Sequence, residues 1–291
     1  MSLYLVGVDG GGTSCRARIR HRDGQWLGEA KRGRANILLG VEQAMATVIE
    51  TVRQAARNAG LADPALAQMD VGLALAGAEQ RSAWQQMMAQ QHPFHSVTLN
   101  TDAYGACLGA HRGDDGAIMI AGTGSCGLLI SQGQQQMVGG REFPISDQGS
   151  GAMMGLRLIQ QVILAYDDIA ATTPLTSHVM HHFDQQIDHI VSWSKQALPR
   201  DYGQFSPAIF QFASEGDPLA IALLKQTAAD IEMFLQALYQ RGARRISLMG
   251  GIAERIQPWL SDSILPWIVP AQADAMEGAL LFAGKPEHNL Y

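Results

Sequence analysis

The chain has 291 residues, of which 47% are hydrophobic and 16% charged, so it is long enough for two domains with buried cores. Its 21 basic and 27 acidic residues give a formal net charge of −6, which argues against a nucleic-acid-binding surface, because such surfaces carry a basic excess. No stretch approaches the ~18 apolar residues of a membrane helix, and the N-terminus lacks the pattern of a secretory signal. Cys15, Cys107 and Cys126 form no CxxC pair, and we expect reduced thiols in a cytoplasmic protein.

The first third of the chain predicts strands that alternate with helices. The predicted strands are residues 3–8, 16–20, 25–30, 71–76 and 96–99. The predicted helices are residues 41–59, 79–90 and 102–111. A run of glycines, residues 10–12, separates the first two strands, and Asp9 directly follows the first of them.

The same pattern then begins again. Residues 117–121 and 127–131 are predicted strands, and they flank a second glycine turn at residues 122–124. Each of the two hairpins continues into a Gly-Gln turn, which indicates a degenerate internal repeat, with chance similarity as the alternative. The rest of the chain is predicted to be mostly helical, with helices at residues 151–166, 178–183, 187–197 and 218–240, except for a buried strand at residues 246–249.

These elements predict an α/β fold of two duplicated domains with mixed β-sheets. We expect an N-terminal domain at residues 1–112 and a C-terminal domain at residues 113–291. A last helix, residues 273–282, is expected to fold back onto the first domain.

The first glycine turn has the chemistry of an anion site. Consecutive glycines let backbone N–H groups approach a phosphate, and Thr13 and Ser14 add hydroxyl donors. Asp9, at the end of the strand, suits a hydrated Mg²⁺ held through water. The turn lacks the lysine of a Walker P-loop and does not open a helix as a dinucleotide fingerprint does. A plain hairpin turn is the alternative.

Two further glycine turns favour a nucleotide site. Residues 122–125 supply a second set of donors, and Gly250-Gly251 follows a buried strand. In this order and spacing, the three turns resemble the superfamily of actin, sugar kinases and the seventy-kilodalton heat-shock chaperones. Its two phosphate loops resemble residues 9–14 and 122–125, and its adenosine motif resembles residues 248–253.

Within that superfamily, Asp102 and the segment 147–151 resemble the N-acetylglucosamine kinase group, which includes the BadF-type ATPases. Residues 72–79, 139–143 and 199–205 closely resemble bacterial glucosamine kinases, and the resemblance covers essentially the whole chain. The resemblance implies two ribonuclease H-like domains of the actin and sugar-kinase ATPase fold, with a cleft between them. It also implies transfer of a phosphoryl group from ATP, with Mg²⁺, to the 6-hydroxyl of glucosamine.

The same resemblance suggests roles for individual residues. The residues expected to bind the nucleotide are Gly11, Gly12, Thr13, Ser14, Gly122, Thr123, Gly124, Gly250 and Gly251. Asp102 is expected to be the catalytic base, because a sugar hydroxyl needs a carboxylate to accept its proton; a helix N-cap is its alternative role. Asn36, Asp147 and Asp102 are expected to bind the sugar, and Glu79 is a further candidate that would favour a free ammonium. The family commonly has Glu where this chain has Gln148, whose role stays open.

Three other functions compete with this one. N-acetylglucosamine kinase activity differs only in the substrate, and residue physics does not decide between the two sugars. A BadF-type ATPase activator would hold an iron–sulfur cluster with cysteines, which are scattered here. A sugar-sensing regulator would normally carry a DNA-binding helix-turn-helix. The predicted partners are therefore ATP and an amino sugar, without nucleic acid or membrane, and a homodimer is one alternative for the oligomeric state.

Overall fold

The computed structural model describes residues 2–285, which divide into two compact units. Unit 1 contains residues 2–116, 130–135 and 270–285, and unit 2 contains residues 117–129 and 136–269. Each unit is built around one β-sheet. The predicted domain limits include residue 1 and residues 286–291, which lie outside the described residues.

The strands are β1 (Tyr4–Gly10), β2 (Cys15–His21), β3 (Trp26–Arg32), β4 (Met69–Leu75), β5 (Ser96–Thr101), β6 (Gly116–Ala121), β7 (Ser125–Ser131), β8 (Gln134–Gly139) and β9 (Ile246–Met249). The first six α-helices are α1 (Val41–Asn58), α2 (Arg81–Met88), α3 (Asp102–His111), α4 (Gly151–Tyr166), α5 (Pro174–His182) and α6 (Ile187–Ser194). The others are α7 (Pro199–Gly203), α8 (Ser206–Ser214), α9 (Pro218–Gln240), α10 (Ala253–Ile256) and α11 (Ala275–Phe282). None of the helices within residues 2–285 combines the length and the apolar composition that a bilayer span requires.

The sheet of unit 1 has the strand order β3-β2-β1-β4-β5. The hairpin strands β1 and β2 are antiparallel and pair Asp9 with Arg16, whereas β4 is parallel to both β1 and β5. All seven residues of β4 are buried, as expected for a central strand covered on both faces. Because the carboxyl ends of parallel strands meet at one edge, β1, β4 and β5 end side by side.

Helix α1 covers one face of this sheet with an apolar stripe that includes Met45, Val48 and Val52. On the other side, α11 packs directly on the strands and on α3. A Cβ atom on Gly72 of β4 would overlap the backbone carbonyl of Ala279, and one on Gly278 would overlap the carbonyl of Gly105. Glycine at these positions lets α11 approach the backbone of its neighbours.

The sheet of unit 2 has the strand order β8-β7-β6-β9, and β9 is parallel to β6. Buried residues from α4, α5, α8 and α9 pack into one core with it, among them Leu158, Ile209 and Leu235. Helix α7 lies so close to α4 that a Cβ on Gly155 would overlap the carbonyl of Tyr202. Sequence patterns predicted α4 and α9 with their observed bounds but did not predict α7, α8 or α10.

Candidate active site

Asp102 is the first residue of α3 and follows β5 directly. The N-cap of this helix is Thr101, whose hydroxyl accepts the backbone N–H of Tyr104 at 3.1 Å. Asp102 therefore does not supply the cap; its Oδ1 accepts the N–H of Ala103 at 2.8 Å. The carboxylate lies at the sheet edge where the parallel strands of unit 1 end.

Two more carboxylates influence Asp102. Burial raises the pKa of Asp102 to about 6, and the hydrogen bond from Ala103 acts in the opposite direction. The negative charges of Glu79 and Asp9 raise this pKa further. Glu79 is exposed and lies in the turn between β4 and α2, which begins at Arg81 and not at Glu79 as predicted. Two other predicted site residues thus lie within electrostatic reach of Asp102.

The first glycine turn, residues 10–14, joins β1 to β2. The N–H of Gly11 donates to the carbonyl of Ser14 at 3.0 Å, and a Cβ on Gly11 or Gly12 would meet no atom within 4 Å. The protein therefore leaves open space over these two glycines. At the base of the turn, Arg16 binds Asp9 through Nη2 at 2.5 Å and Nε at 3.1 Å, both to Oδ2.

Asn36 lies in a segment that is tied to the first turn and to β4. The N–H of Ala35 donates to the carbonyl of Gly11 at 3.0 Å, and the N–H of Ile37 donates to the carbonyl of Ala76 at 3.1 Å. The Oδ1 of Asn36 accepts the N–H of Leu38 at 2.8 Å and caps a short 3-10 helix. This cap orients the side chain and leaves its Nδ2 group for donation to a hydroxyl oxygen.

The second glycine turn belongs to unit 2 and is bonded to the start of α4. The carbonyl of Gly122 accepts the N–H of Gly151 at 2.8 Å, and the carbonyl of Thr123 accepts the N–H of Ala152 at 3.2 Å. Ser150 caps the helix through its hydroxyl. These bonds fix the turn against the helix N-terminus.

Asp147 lies in unit 2, beside this second turn. Its residue surface is 8% exposed, and a Cβ on Gly124 would lie 2.9 Å from its Oδ2. Burial raises the pKa of Asp147, a backbone hydrogen bond from Ser125 lowers it, and the charge of Glu142 raises it. The neighbouring Gln148 contributes its backbone carbonyl, which accepts the Ser125 hydroxyl at 2.6 Å.

A cavity of about 210 Å³ in unit 2 brings together the second and third glycine turns. The residues around it are Gly122, Thr123, Gly151, Gly203, Ser206, Pro207, Phe210, Gly251, Ile252 and Arg255. The backbone of Gly250 has φ +104° and approaches Ala121, so the turn after β9 needs glycine at this position. Arg255 lies over the Phe210 ring, 4.2 Å from its centroid.

Asp9 has the features of a Mg²⁺ site that uses few protein ligands. Its partly exposed carboxylate lies beside the open first turn, and Mg²⁺ commonly binds one or two carboxylates together with water and phosphate oxygens. Within residues 2–285, no three His, Cys, Asp or Glu side chains are grouped so that they could hold a metal ion. A single carboxylate of this kind would fit a hydrated ion, and the Mg²⁺ site at Asp9 stays a prediction.

A larger cavity, about 480 Å³, lies elsewhere in unit 1 and contains none of the predicted site residues. It is lined by Arg20, Gly109, Arg112, Ala273, Glu277 and Leu281. The chemistry of the glycine turns and the carboxylates, and not cavity size, identifies the candidate site.

Sequence reasoning missed Phe210 and Arg255, because neither belongs to a glycine motif. Arg255 follows the Gly250-Gly251 turn by a few residues, which is the signal that could have found it. Phe210 is on α8, far from that turn in sequence, so only the fold brings the two together.

Comparison with known proteins agrees with these features. The sequence model of the BadF/BadG/BcrA/BcrD ATPase family matches residues 6–283. A curated protein of Vibrio cholerae serotype O1, glucosamine kinase GspK, is 69% identical over 288 residues, which cover 99% of this chain and 98% of that protein. A curated N-acetylmuramic acid/N-acetylglucosamine kinase of Clostridium acetobutylicum is 22% identical and covers 81% of this chain and 79% of its own length.

A solved structure has the same fold. A protein of Chromobacterium violaceum, provisionally named N-acetylglucosamine kinase, superposes with a TM-score of 0.90 at 32% identity, covering 97% of this chain and 99% of that one. The predicted two-domain α/β fold of the sugar-kinase type is thereby confirmed, as is the predicted family. The prediction of an amino-sugar kinase agrees with the names of these relatives.

Proposed function

We propose, since this chain belongs to the BadF/BadG/BcrA/BcrD ATPase family, that it transfers the γ-phosphoryl group of ATP to the 6-hydroxyl of glucosamine. The products are glucosamine 6-phosphate and ADP. The observation that carries this proposal is the Asp102 carboxylate, which is not the helix cap and has a pKa of about 6 beside two other carboxylates. The choice of glucosamine rests on the relative that is 69% identical and is named a glucosamine kinase.

Asp102 acts as the general base in the proposed mechanism. With a pKa of about 6 it is mostly ionised at pH 7, yet basic enough to accept a proton. It accepts the proton of the 6-hydroxyl while O6 forms its bond to the γ-phosphorus. The bond between that phosphorus and the bridging oxygen of ADP breaks in the same step.

The glycine turns bind the nucleotide in this proposal. Open space over Gly11 and Gly12 lets their N–H groups approach phosphate oxygens, and the hydroxyls of Thr13 and Ser14 add donors. The cavity between the second and third turns takes the nucleoside part, next to Arg255. Asp9 would hold Mg²⁺ through water, and the ion would neutralise charge on the phosphates.

The sugar is recognised by groups with complementary chemistry. Asn36 donates from Nδ2 to a hydroxyl, Asp147 accepts from hydroxyls, and Glu79 favours the ammonium of glucosamine over the neutral acetamide of N-acetylglucosamine. The reaction is expected in the cytoplasm, and a homodimer remains one alternative for the oligomeric state.

A second candidate is N-acetylglucosamine kinase, which is the name carried by more distant relatives. The ATPase-activator function has less support, because Cys15 and Cys107 are buried, whereas cysteines that hold an iron–sulfur cluster at a dimer interface must reach the surface.

The decisive experiment measures ADP release from ATP and Mg²⁺ with glucosamine, N-acetylglucosamine, glucose or no sugar. Strong stimulation by glucosamine supports the proposal. Preference for N-acetylglucosamine would keep the mechanism and change the substrate. Hydrolysis that is independent of sugar would contradict the proposed kinase activity.

A further inference from the structure

The turn that carries Asp147 has an unusual backbone. Asp147 has φ +68° and Gly149 has φ +81°, so two residues of this short turn are in the left-handed region. For a residue with a side chain, that conformation costs about 1 kcal/mol or more and persists only when its surroundings hold it. The contacts that hold this turn therefore decide where the Asp147 carboxylate lies.

Asp230, on the long helix α9, provides the contact on one side of the turn. Its Oδ2 accepts the backbone N–H of Gly149 at 3.2 Å and the Nη1 of Arg157 at 2.5 Å. Its Oδ1 accepts the Nε2 of Gln226 at 3.1 Å. Asp230 is 7% exposed, so removing these partners would leave a buried charge without compensation.

The next residue of α9 holds the turn by shape. A Cβ on Gly149 would lie 2.7 Å from Cγ1 of Ile231, so the turn fits against α9 only with glycine at this position. Arg157 is on α4, the helix that begins immediately after the turn. The Asp230 carboxylate thus joins three parts of unit 2: the turn, α4 and α9.

We infer that Asp230 is a positioning residue for the amino-sugar site. It holds the Gly149 N–H and thereby fixes the left-handed turn in which Asp147 lies against Gly124 and Ser125. Asp230 touches no reacting atom in this scheme and acts only through the turn. The inference rests on the proposed role of Asp147 in binding the sugar.

Two substitutions test it, with a matched control on the same helix. Asp230→Ala removes every bond of the carboxylate, and Asp230→Asn keeps an oxygen that can accept the Gly149 N–H but removes the charge that pairs with Arg157. The control is Asp217→Ala. Asp217 is 4% exposed and caps α9 through Ala220, and it also accepts the N–H of Leu175, but it does not contact the turn.

Steady-state kinetics separate positioning from general loss of stability. Asp230→Ala is expected to raise the KM for glucosamine about tenfold and the KM for ATP about threefold or less, and Asp230→Asn is expected to restore part of the loss. The control Asp217→Ala is expected to lower the melting temperature and to leave the KM for glucosamine unchanged. The inference is overturned if Asp230→Ala lowers the melting temperature as the control does and leaves both KM values unchanged.

Amide hydrogen exchange provides a readout that does not depend on the reaction. In the ligand-free protein, residues 147–151 are expected to exchange faster in Asp230→Ala than in wild type or in the control. Unchanged exchange would overturn the inference even if the kinase activity is as proposed. If the wild type fails to phosphorylate glucosamine, the proposed function fails, and the exchange data still decide whether Asp230 holds the turn.

Discussion

The two glycine-turned hairpins of this protein share a sequence pattern but have different surroundings. In unit 1, the first turn has open space over Gly11 and Gly12, with the carboxylates of Asp9 and Asp102 close by. In unit 2, the second turn is crowded at Gly124, where a Cβ would lie 2.9 Å from the Asp147 carboxylate, whereas a Cβ on Gly122 would meet nothing closer than 3.8 Å. Its carbonyls also accept the first N–H groups of α4.

The difference indicates two separate reasons for glycine. At Gly124 a side chain would press on the Asp147 carboxylate, so a substitution there would displace a group of the protein itself. At Gly11 and Gly12 no described protein atom blocks a side chain, and we expect a phosphate that approaches the turn to be what favours glycine there. We therefore expect substitutions at the two turns to divide between stability and ligand binding.

The largest effect is expected at Asp102. Asp102→Ala should lower kcat by about 10²–10⁴-fold, because it removes the general base, while ATP affinity measured by calorimetry stays nearly unchanged. Thr101→Ala, which removes the cap of the same helix, should cost about 1 kcal/mol of stability and retain most of the turnover. Equal losses of kcat in the two variants would contradict a catalytic role for Asp102.

The same residue should also affect stability in a pH-dependent way. The folded state raises the pKa of Asp102 from 3.8 to about 6, so folding favours its protonated form. The contribution of Asp102 to the free energy of unfolding is fully present below about pH 4 and is lost as the pH rises through about 6. The free energy of unfolding of Asp102→Asn should therefore be about 2–3 kcal/mol higher than that of wild type at about pH 8. At about pH 4 the two proteins should have nearly the same free energy of unfolding. Denaturant titrations at the two pH values measure this, and an equal difference at both would refute the assignment.

The glycine comparison can be tested directly. Gly11→Ala should change the free energy of unfolding by about 0.5 kcal/mol or less and raise the KM for ATP about tenfold. Gly124→Ala should destabilise the protein by about 1–3 kcal/mol, because its new methyl group collides with Asp147. Thermal unfolding and ATP titration of both variants measure these effects. A lower stability of Gly11→Ala than of Gly124→Ala would contradict the prediction.

The smallest effect is expected at Glu79, because its side chain is exposed. Glu79→Gln should reduce the preference for glucosamine over N-acetylglucosamine by about three- to tenfold, measured as a ratio of kcat/KM values. Since the Glu79 charge raises the pKa of Asp102, the acid limb of the pH–rate profile should also move to lower pH. An unchanged substrate preference would remove Glu79 from amine recognition.

The sequence predicted those features whose signals are local. Helices α4 and α9 have the predicted bounds, because Ser150 and Asp217 cap them within one turn. The glycine turns and Asp102 were also identifiable, since each follows a predicted strand.

Features that depend on distant residues could not be predicted. Helices α7 and α8 are short and pack against α4 through contacts such as that between Gly155 and Tyr202. Asp230 has the pattern of a solvent-facing charge on a helix, and only the fold places it under Gly149. The pairing of Arg255 with Phe210 likewise connects separate helices.

The close packing of α11 on β4 at Gly72 has a consequence for how the chain folds during synthesis. Residues 270–285 complete unit 1, yet they are synthesised after all of unit 2. At about 5–20 residues per second, the ribosome needs on the order of ten seconds or more to make the intervening segment. During that interval the backbone of β4 at Gly72 lacks the cover that α11 gives it, so one face of the unit 1 sheet stays open until residues 275–282 emerge.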